Sequence, residues 1–554
     1  MKARCFFFNI LIFLGISIFI SSCKKAATTV EPTTTVSGCD ALAGSSWTPN
    51  ISGVSDSNHN DSGVAVYKTS YTGQGLLTGL AQSYDASSSH VITFSGLDVS
   101  TDLLSNGSVT LVAEAKDFPT SQLTQGNAYP VLISLNDGTN ELVNISGCTS
   151  GFYTCTSGNC VAKTGCGPDP DGTGGSAVLG VTASDRRTGW DQYQHLGLSD
   201  YTSVNIFPTC NWTSGSPSCA FATSPGNFFS GGKLRTGTYT AKYILLTSNY
   251  STVGDSYSAS VKLTIIRKKD GNAGSGSNGA LDINVIFVGN KVINQSRTDK
   301  GKQNLDALFT HVYNHYYTQN SASTAIKLGT INVYEWTCEN GGDSYATIST
   351  SDAYKLFQAG SAQVSASAET KAVNVFLATS ITYTGTGTVL GMAGGIPGAM
   401  VNGTGSSGAV FASLNKLNTY NPNCTPGSDC PIGLQESAFI DMGSTVSHEM
   451  GHFLGLNHPS ESAGTEHDKL PDTPQCTTTG SGAVITISSC RSECNSVCTA
   501  SQYISNPFCS DKSECQFNHI MWWTSKNYNS SGQGDGNIFS TNSGSIINYN
   551  PYVQ

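Results

Sequence analysis

The first half of the chain is punctuated by short runs in which apolar and polar residues alternate, the period of a half-buried strand. "SHVITFSGLDV" and "GSVTLVAEAKDF" are of this kind and rich in β-branched residues. "GTYTAKYILLTSNYS" followed by "DSYSASVKLTIIRKK" predicts a closing hairpin. The Gly/Ser-rich run "DGNAGSGSNGA" (270–280) then breaks the pattern as a linker would. Beyond it the period changes. "LDINVIFVG" is a buried-strand run, "KQNLDALFTHVYNHYYTQ" has apolar residues at helical spacing, and "IKLGTINVYEW" is a second strand. "SDAYKLFQAGSA" predicts a second helix and "KAVNVFLATSI" a third strand. Last comes "AFIDMGSTVSHEMGHFLGLNH", with a helical rhythm through Phe439, Met442, Val446, Met450 and Phe453.

These patterns predict a multidomain protein, an N-terminal all-β region built as an immunoglobulin-like sandwich followed by an α/β domain. At 554 residues the chain exceeds what one hydrophobic core fills. The expected division is a β-rich domain over 38–165, an immunoglobulin-like β-domain over 166–272, a linker over 273–280 and an α/β domain over 281–554. Only 12% of residues are charged, the formal net charge is −10, and the largest basic cluster is "RKK" (267–269). A nucleic-acid partner is therefore not expected. Asp169 and Asp171 fit a surface turn better than a calcium loop, because the twelve-residue pattern of such a loop is not completed.

The N-terminal residues read as a targeting segment. Lys2 and Arg4 precede an apolar run of fifteen, "FFFNILIFLGISIFI" (6–20), short for a membrane span and suited to a signal core. "ISSC" (20–23) resembles a bacterial lipobox, which implies a signal over 1–22, lipidation at Cys23, a tether over 23–37 and a lipid-anchored place in the cell envelope. Of the eighteen cysteines, sixteen remain after Cys5 and Cys23 are set aside, an even number that in an exported chain suggests up to eight disulfides.

Three of the ten histidines, His448, His452 and His458, fall within "VSHEMGHFLGLNHP". At 3.6 residues per turn His448 and His452 share a helix face, with ring nitrogens able to meet one ion at about 2.0–2.1 Å. Glu449 is rotated about 100° from His448, so it leans over the ion instead of ligating it. Gly455 can take the left-handed conformation that ends a helix and returns His458 as a third ligand, and Pro459 prevents the helix from resuming. Three imidazoles with one position open is the arrangement of a catalytic zinc site. His311 and His315 also lie four apart, but Tyr313, Tyr316 and Tyr317 around them favour a partly exposed aromatic face over a metal pair.

"HEMGHFLGLNH" matches the metzincin signature HExxHxxGxxH, and three later segments resemble the pappalysin-like members of that group. "HDKLPDTPQC" (467–476) is similar to their D-x-[LV]-x-DTP-x-C segment. "NHIMWW" (518–523) stands at their Met-turn, 63 residues after His458. "NIFSTNSGSIINYNPYV" (537–553) resembles their closing helix. The resemblance covers roughly 280–554 and implies a zinc endopeptidase with ligands His448, His452 and His458, Glu449 as general base and Met521 as a floor under the histidines. Asp468, Asp472 and Thr473 either hold Ca²⁺, as the resemblance implies, or only cap their loop. Trp523 stands where the family often has Tyr, and Ser543 where its closing helix usually has Gln. The segments 388–401 and 407–414 precede the helix where metzincins place an edge strand, an expected docking line for extended protein or peptide substrates. The alternative is a surface adhesin that binds through its β-domains, with the metzincin domain as scaffold.

Overall fold

The computed structural model describes residues 39–51, 66–79, 91–99, 108–117, 128–139, 141–144, 153–156, 159–162, 201–206, 236–247, 258–268, 279–318, 325–364, 372–382, 389–412, 436–456, 458, 520–521, 539, 543–544, 547–548 and 550–553. Among the described residues ten strands precede the linker: β1 (Val66–Gly79), β2 (Ile92–Val99), β3 (Ser108–Lys116), β4 (Ala128–Asn136), β5 (Glu141–Asn144), β6 (Tyr153–Thr156), β7 (Asn159–Ala162), β8 (Tyr201–Ile206), β9 (Gly237–Thr247) and β10 (Ser258–Lys268). Among the described residues, strands β6 and β7 pair only with each other. The other eight run β5-β4-β9-β1-β10-β3-β8, with β2 also on β9. β1 joins two sets of strands, pairing antiparallel with β10 over most of its length and parallel with β9 over its last three residues. Alternate residues of β2, β3, β4, β9 and β10 meet in one apolar core, including Phe94, Leu111, Leu132, Tyr243 and Leu263.

Two expectations change here. The last two long strands do not form a hairpin: β1 lies between β9 and β10. Strands on both sides of the expected boundary at 165/166 also share one hydrogen-bonded network, since β9 pairs with β4 and β10 pairs with β3. Alternation identifies a strand but not its neighbour, so the sequence could not tell adjacent strands from strands separated by an earlier one.

After the linker come β11 (Ala280–Val288), α1 (Asn290–Arg297), α2 (Asp299–Tyr313), β12 (Lys327–Trp336), β13 (Thr347–Ser349), α3 (Ala353–Ser361), β14 (Ala372–Ala378), β15 (Ser380–Thr382), β16 (Gly391–Ala393), β17 (Ala409–Ala412) and α4 (Glu436–Phe453). A five-stranded sheet in the order β12-β11-β14-β17-β16 is parallel except at its last pair, where β16 runs antiparallel to β17. Every residue of β14 is buried, as expected for a parallel strand covered on both faces. Ile283, Val285 and Phe287 meet α1, α2 and α4 on one face, and Ile286 and Val288 meet Leu356 and Phe357 of α3 on the other. The layers are helix, sheet and helix. α1 went unpredicted because "KVINQSR" is short and mostly polar. Its residues Val292 and Ile293 are fully buried. Thr298 caps α2, accepting a 2.9 Å hydrogen bond from Gly301 N, and Asp299 sits in the first turn against the positive end of the dipole.

A row of amides, fully buried at Asn284 and Asn374, crosses this sheet. Asn332 donates to Asn284, Asn284 donates to Asn374, and Asn374 donates to Asn402 and Ser407 of the loop before β17, at 2.9 to 3.2 Å. Any one-residue slip of these strands would leave buried amides unpaired, so the row fixes the register.

The segment Asp40–Ile51, assigned by sequence to a β-rich domain, packs into the α/β domain instead. Trp47 is 2% exposed, stacks on Phe309 at 5.6 Å, meets Phe287 edge-on at 6.3 Å and donates its indole N–H to Asp306. Val112 of β3 and Ile266 of β10 belong to the same core as Leu308, Phe453 and Tyr552. The α/β domain therefore covers part of the β-layer, at Val112 and Ile266. No helix among the described residues is long and apolar enough to cross a membrane.

Candidate metal centre

The site is carried by α4. Met442, Val446, Met450 and Phe453 are buried against the sheet and α2. Ser447 is locked on the same side: its carbonyl accepts from Tyr316 O–H, and its hydroxyl shares a 3.0 Å hydrogen bond with His315 Nδ1. With its buried face fixed, the helix presents His448, Glu449 and His452 on its remaining surface. Gly455 ends it at φ 111°, and two hydrogen bonds close the terminus, Gly455 N to His452 O and Leu456 N to Gly451 O, both at 2.9 Å. That double closure with glycine at its pivot turns the chain sharply, and His458 comes back to the other two.

The Nε2 atoms of His448 and His452 each lie 3.0 Å from Nε2 of His458, and no ligand atom in the trio is more than 4.8 Å from another. The opposite ring nitrogens are held by main-chain carbonyls: His448 Nδ1 by Ile520 O at 2.9 Å and His452 Nδ1 by Leu456 O at 2.7 Å. A carbonyl oxygen only accepts, so both Nδ1 atoms carry the proton and the neutral rings turn their Nε2 lone pairs inward. Nε2 of His458 lies within reach of both lone pairs, and a cation seated among the three nitrogens would be held by all of them. This donor set fits zinc, with the carbonyls as its outer support. Among the described residues no other set of three His, Cys, Asp or Glu side chains converges in this way.

Glu449 lies beside the trio, outside the ligand set. Burial pushes its carboxyl up to about 7, while the neighbouring His458 and a backbone hydrogen bond from Ala393 pull the other way. Ala393 ends β16, and a Cβ added at Gly391 would lie 2.8 Å from Glu449 Cγ. The glycine lets the edge strand approach the carboxylate closely. Met521 is fully buried with its sulfur against Gly451, where even a methyl group would collide. Ile520 and Met521 thus press on α4 between the two helical histidines.

The structure brings together His448, His452, His458, Glu449 and Met521. His311 and His315 stay apart from the trio: His315 is buried on Ser447, and Tyr316, expected on a partly exposed face, is fully buried against Phe539 at 4.8 Å. Asp468, Asp472, Thr473, Cys23, Trp523, Asp169 and Asp171 lie outside the described residues. The sequence reading missed the carbonyls of Ile520 and Leu456 and the Ala393 main chain, because backbone groups leave no mark on residue type. Cys39 and Cys338 are each disulfide-bonded.

No curated protein matches the chain. Residues 433–516, which include α4 from its start and all three histidines, match the family model Peptidase_M43, pregnancy-associated plasma protein-A, and this supports a metallopeptidase hydrolase of that family.

Proposed function

We propose that the protein is a zinc-dependent endopeptidase of the metzincin type that cleaves extracellular or envelope proteins. The observation that carries this reading is the convergence of three histidine Nε2 atoms beside a carboxylate that stands outside their group. A zinc ion held by His448, His452 and His458 would supply the Lewis acidity that polarises a scissile carbonyl and acidifies water. Glu449 accepts the attacking water's proton on its carboxylate and delivers it to the leaving amine nitrogen. Met521 packs under α4 and keeps the helical histidines at their spacing. β16, the edge of the sheet beside Glu449, offers main-chain groups to an extended substrate, which would add to the sheet as a further strand. The reading extends to an immunoglobulin-like build for the N-terminal β-layer, to lipid anchoring through Cys23 after export, and to Ca²⁺ at Asp468, Asp472 and Thr473.

The test is Glu449→Gln. The variant should bind zinc and fold like the wild type while casein cleavage falls by about 10²–10⁴-fold. Equal cleavage by the variant removes the proposed base. Chelator-insensitive ligand binding by a wild type that cleaves nothing would favour the adhesin alternative.

A further inference from the structure

Lys268, the last residue of β10, is fully buried. Its ammonium donates to Asn548 O and, at 3.2 Å, to Asn550 O, both in the C-terminal segment. A buried ammonium is costly unless its donors are satisfied, and here main-chain carbonyls receive them. Asn550 also faces the other way. Its Nδ2 donates at 3.1 Å to Leu454 O, in the turn that ends α4. Two residues further along, Leu456 O holds His452 Nδ1. The same segment sets Tyr552 on Phe453, ring centroids 5.4 Å apart, next to His452. Asn550 bridges the β-layer and the metal-ligand turn through one residue.

Resting on the zinc-centre reading of the three histidines, we infer that Lys268 is a positioning residue for that centre. It fixes Asn550, Asn550 fixes the Leu454 carbonyl, and the turn so held aims His452 and returns His458. The N-terminal β-layer is then a working part of the site, in place of a prosegment whose removal would leave the centre intact. Lys262, on the same strand and only partly buried, is the matched control.

The measurement is zinc affinity of the full chain, by competition with a chromophoric chelator, together with the visible spectrum of the cobalt(II)-substituted protein. Lys268→Met should weaken zinc binding by about 10–100-fold, the size of effect expected for outer-shell support, and shift the cobalt bands. Lys262→Met should change neither. Asn550→Ala should reproduce the Lys268→Met loss, and the double variant should lose no more than either single one, because both act through one path. A folded Lys268→Met protein with zinc affinity within about twofold of wild type and unmoved cobalt bands overturns the inference. If Lys268→Met does not fold, Asn550→Ala decides by the same criteria. Wild-type protein that takes up no zinc overturns this inference and the proposed function together. Zinc uptake without peptidase activity defeats only the peptidase reading, and the affinity comparison still decides the role of Lys268.

Discussion

Gly451 lies between His448 and His452 on α4, and its missing side chain is what lets the Met521 sulfur reach the helix. Alanine there would raise helix propensity by about 1 kcal/mol, yet overpacking a filled core costs about 1–3 kcal/mol, so the contact outweighs the propensity. Gly451→Ala should therefore lower the melting temperature and weaken zinc binding, because displacing Met521 also moves the Ile520 carbonyl from His448 Nδ1. Met521→Ala should cost less in the Gly451→Ala background than in the wild type, because there it also empties the contested space. Calorimetry and chelator competition on the single and double variants check both points. Equal costs of Met521→Ala in the two backgrounds would show that Gly451 acts by some other route. At this scale residue types announced the ligands and the carboxylate, while the partner that makes Gly451 necessary lies 70 positions away in the sequence.

Among the elements, the segment Asp40–Ile51 acts as a strap over α1, α2 and β12. Ala43 N reaches Asn294, Asn50 N reaches Asp306, and Ser46 Oγ donates at 2.7 Å to Glu335 of β12. Arg297, at the end of α1, donates to both oxygens of Glu335 and to Gly44 O. Burial opposes the charge on Glu335, but the hydrogen bonds from Arg297 and Ser46 and the Arg297 charge outweigh it and hold the carboxyl below its usual range. A carboxyl with a depressed folded-state pKa contributes fully above its unfolded value of about 4.3, and the contribution is lost as pH falls through the lower folded value. The melting temperature of wild type should exceed that of Glu335→Gln near pH 7, and the gap should close as pH drops below about 4. A gap that persists unchanged at pH 3 would mean that the ion pair is not what holds the strap. The sequence disclosed the strands and helices these residues occupy, but "SSWTPN" carries no periodicity that could disclose where Trp47 docks.

For the whole molecule, the α/β domain depends on parts that lie far before it in the chain. Trp47 fills a space between Phe287 and Phe309, Val112 and Ile266 cover part of the same core, and Lys268 holds the C-terminal segment. A fragment comprising 280–554 should expose that apolar surface, bind a hydrophobic dye and give weak, non-cooperative unfolding. The full chain should melt cooperatively. A fragment that is soluble, melts sharply and holds zinc as tightly as the full chain would show that the two halves are independent. Strand pairing has the same long reach. β1 joins β9 and β10, both more than 150 residues later, and period-two patterning cannot specify a partner at that distance.

The sequence by itself determined the chemistry of the site and the kinds of element around it. Imidazoles four apart on a helix, a glycine to turn the chain and a carboxylate beside them are properties of spacing, and spacing is local. Tertiary structure alone decided which carbonyls orient the rings, which strands are neighbours, that Asp40–Ile51 belongs to the α/β core, and that Lys268 reaches the segment bracing the ligand turn. Apart from the four-residue reach of His452 to Leu456, those contacts join residues tens to hundreds of positions apart, many through main-chain atoms that every residue shares. They exist only once apolar burial has brought the layers together.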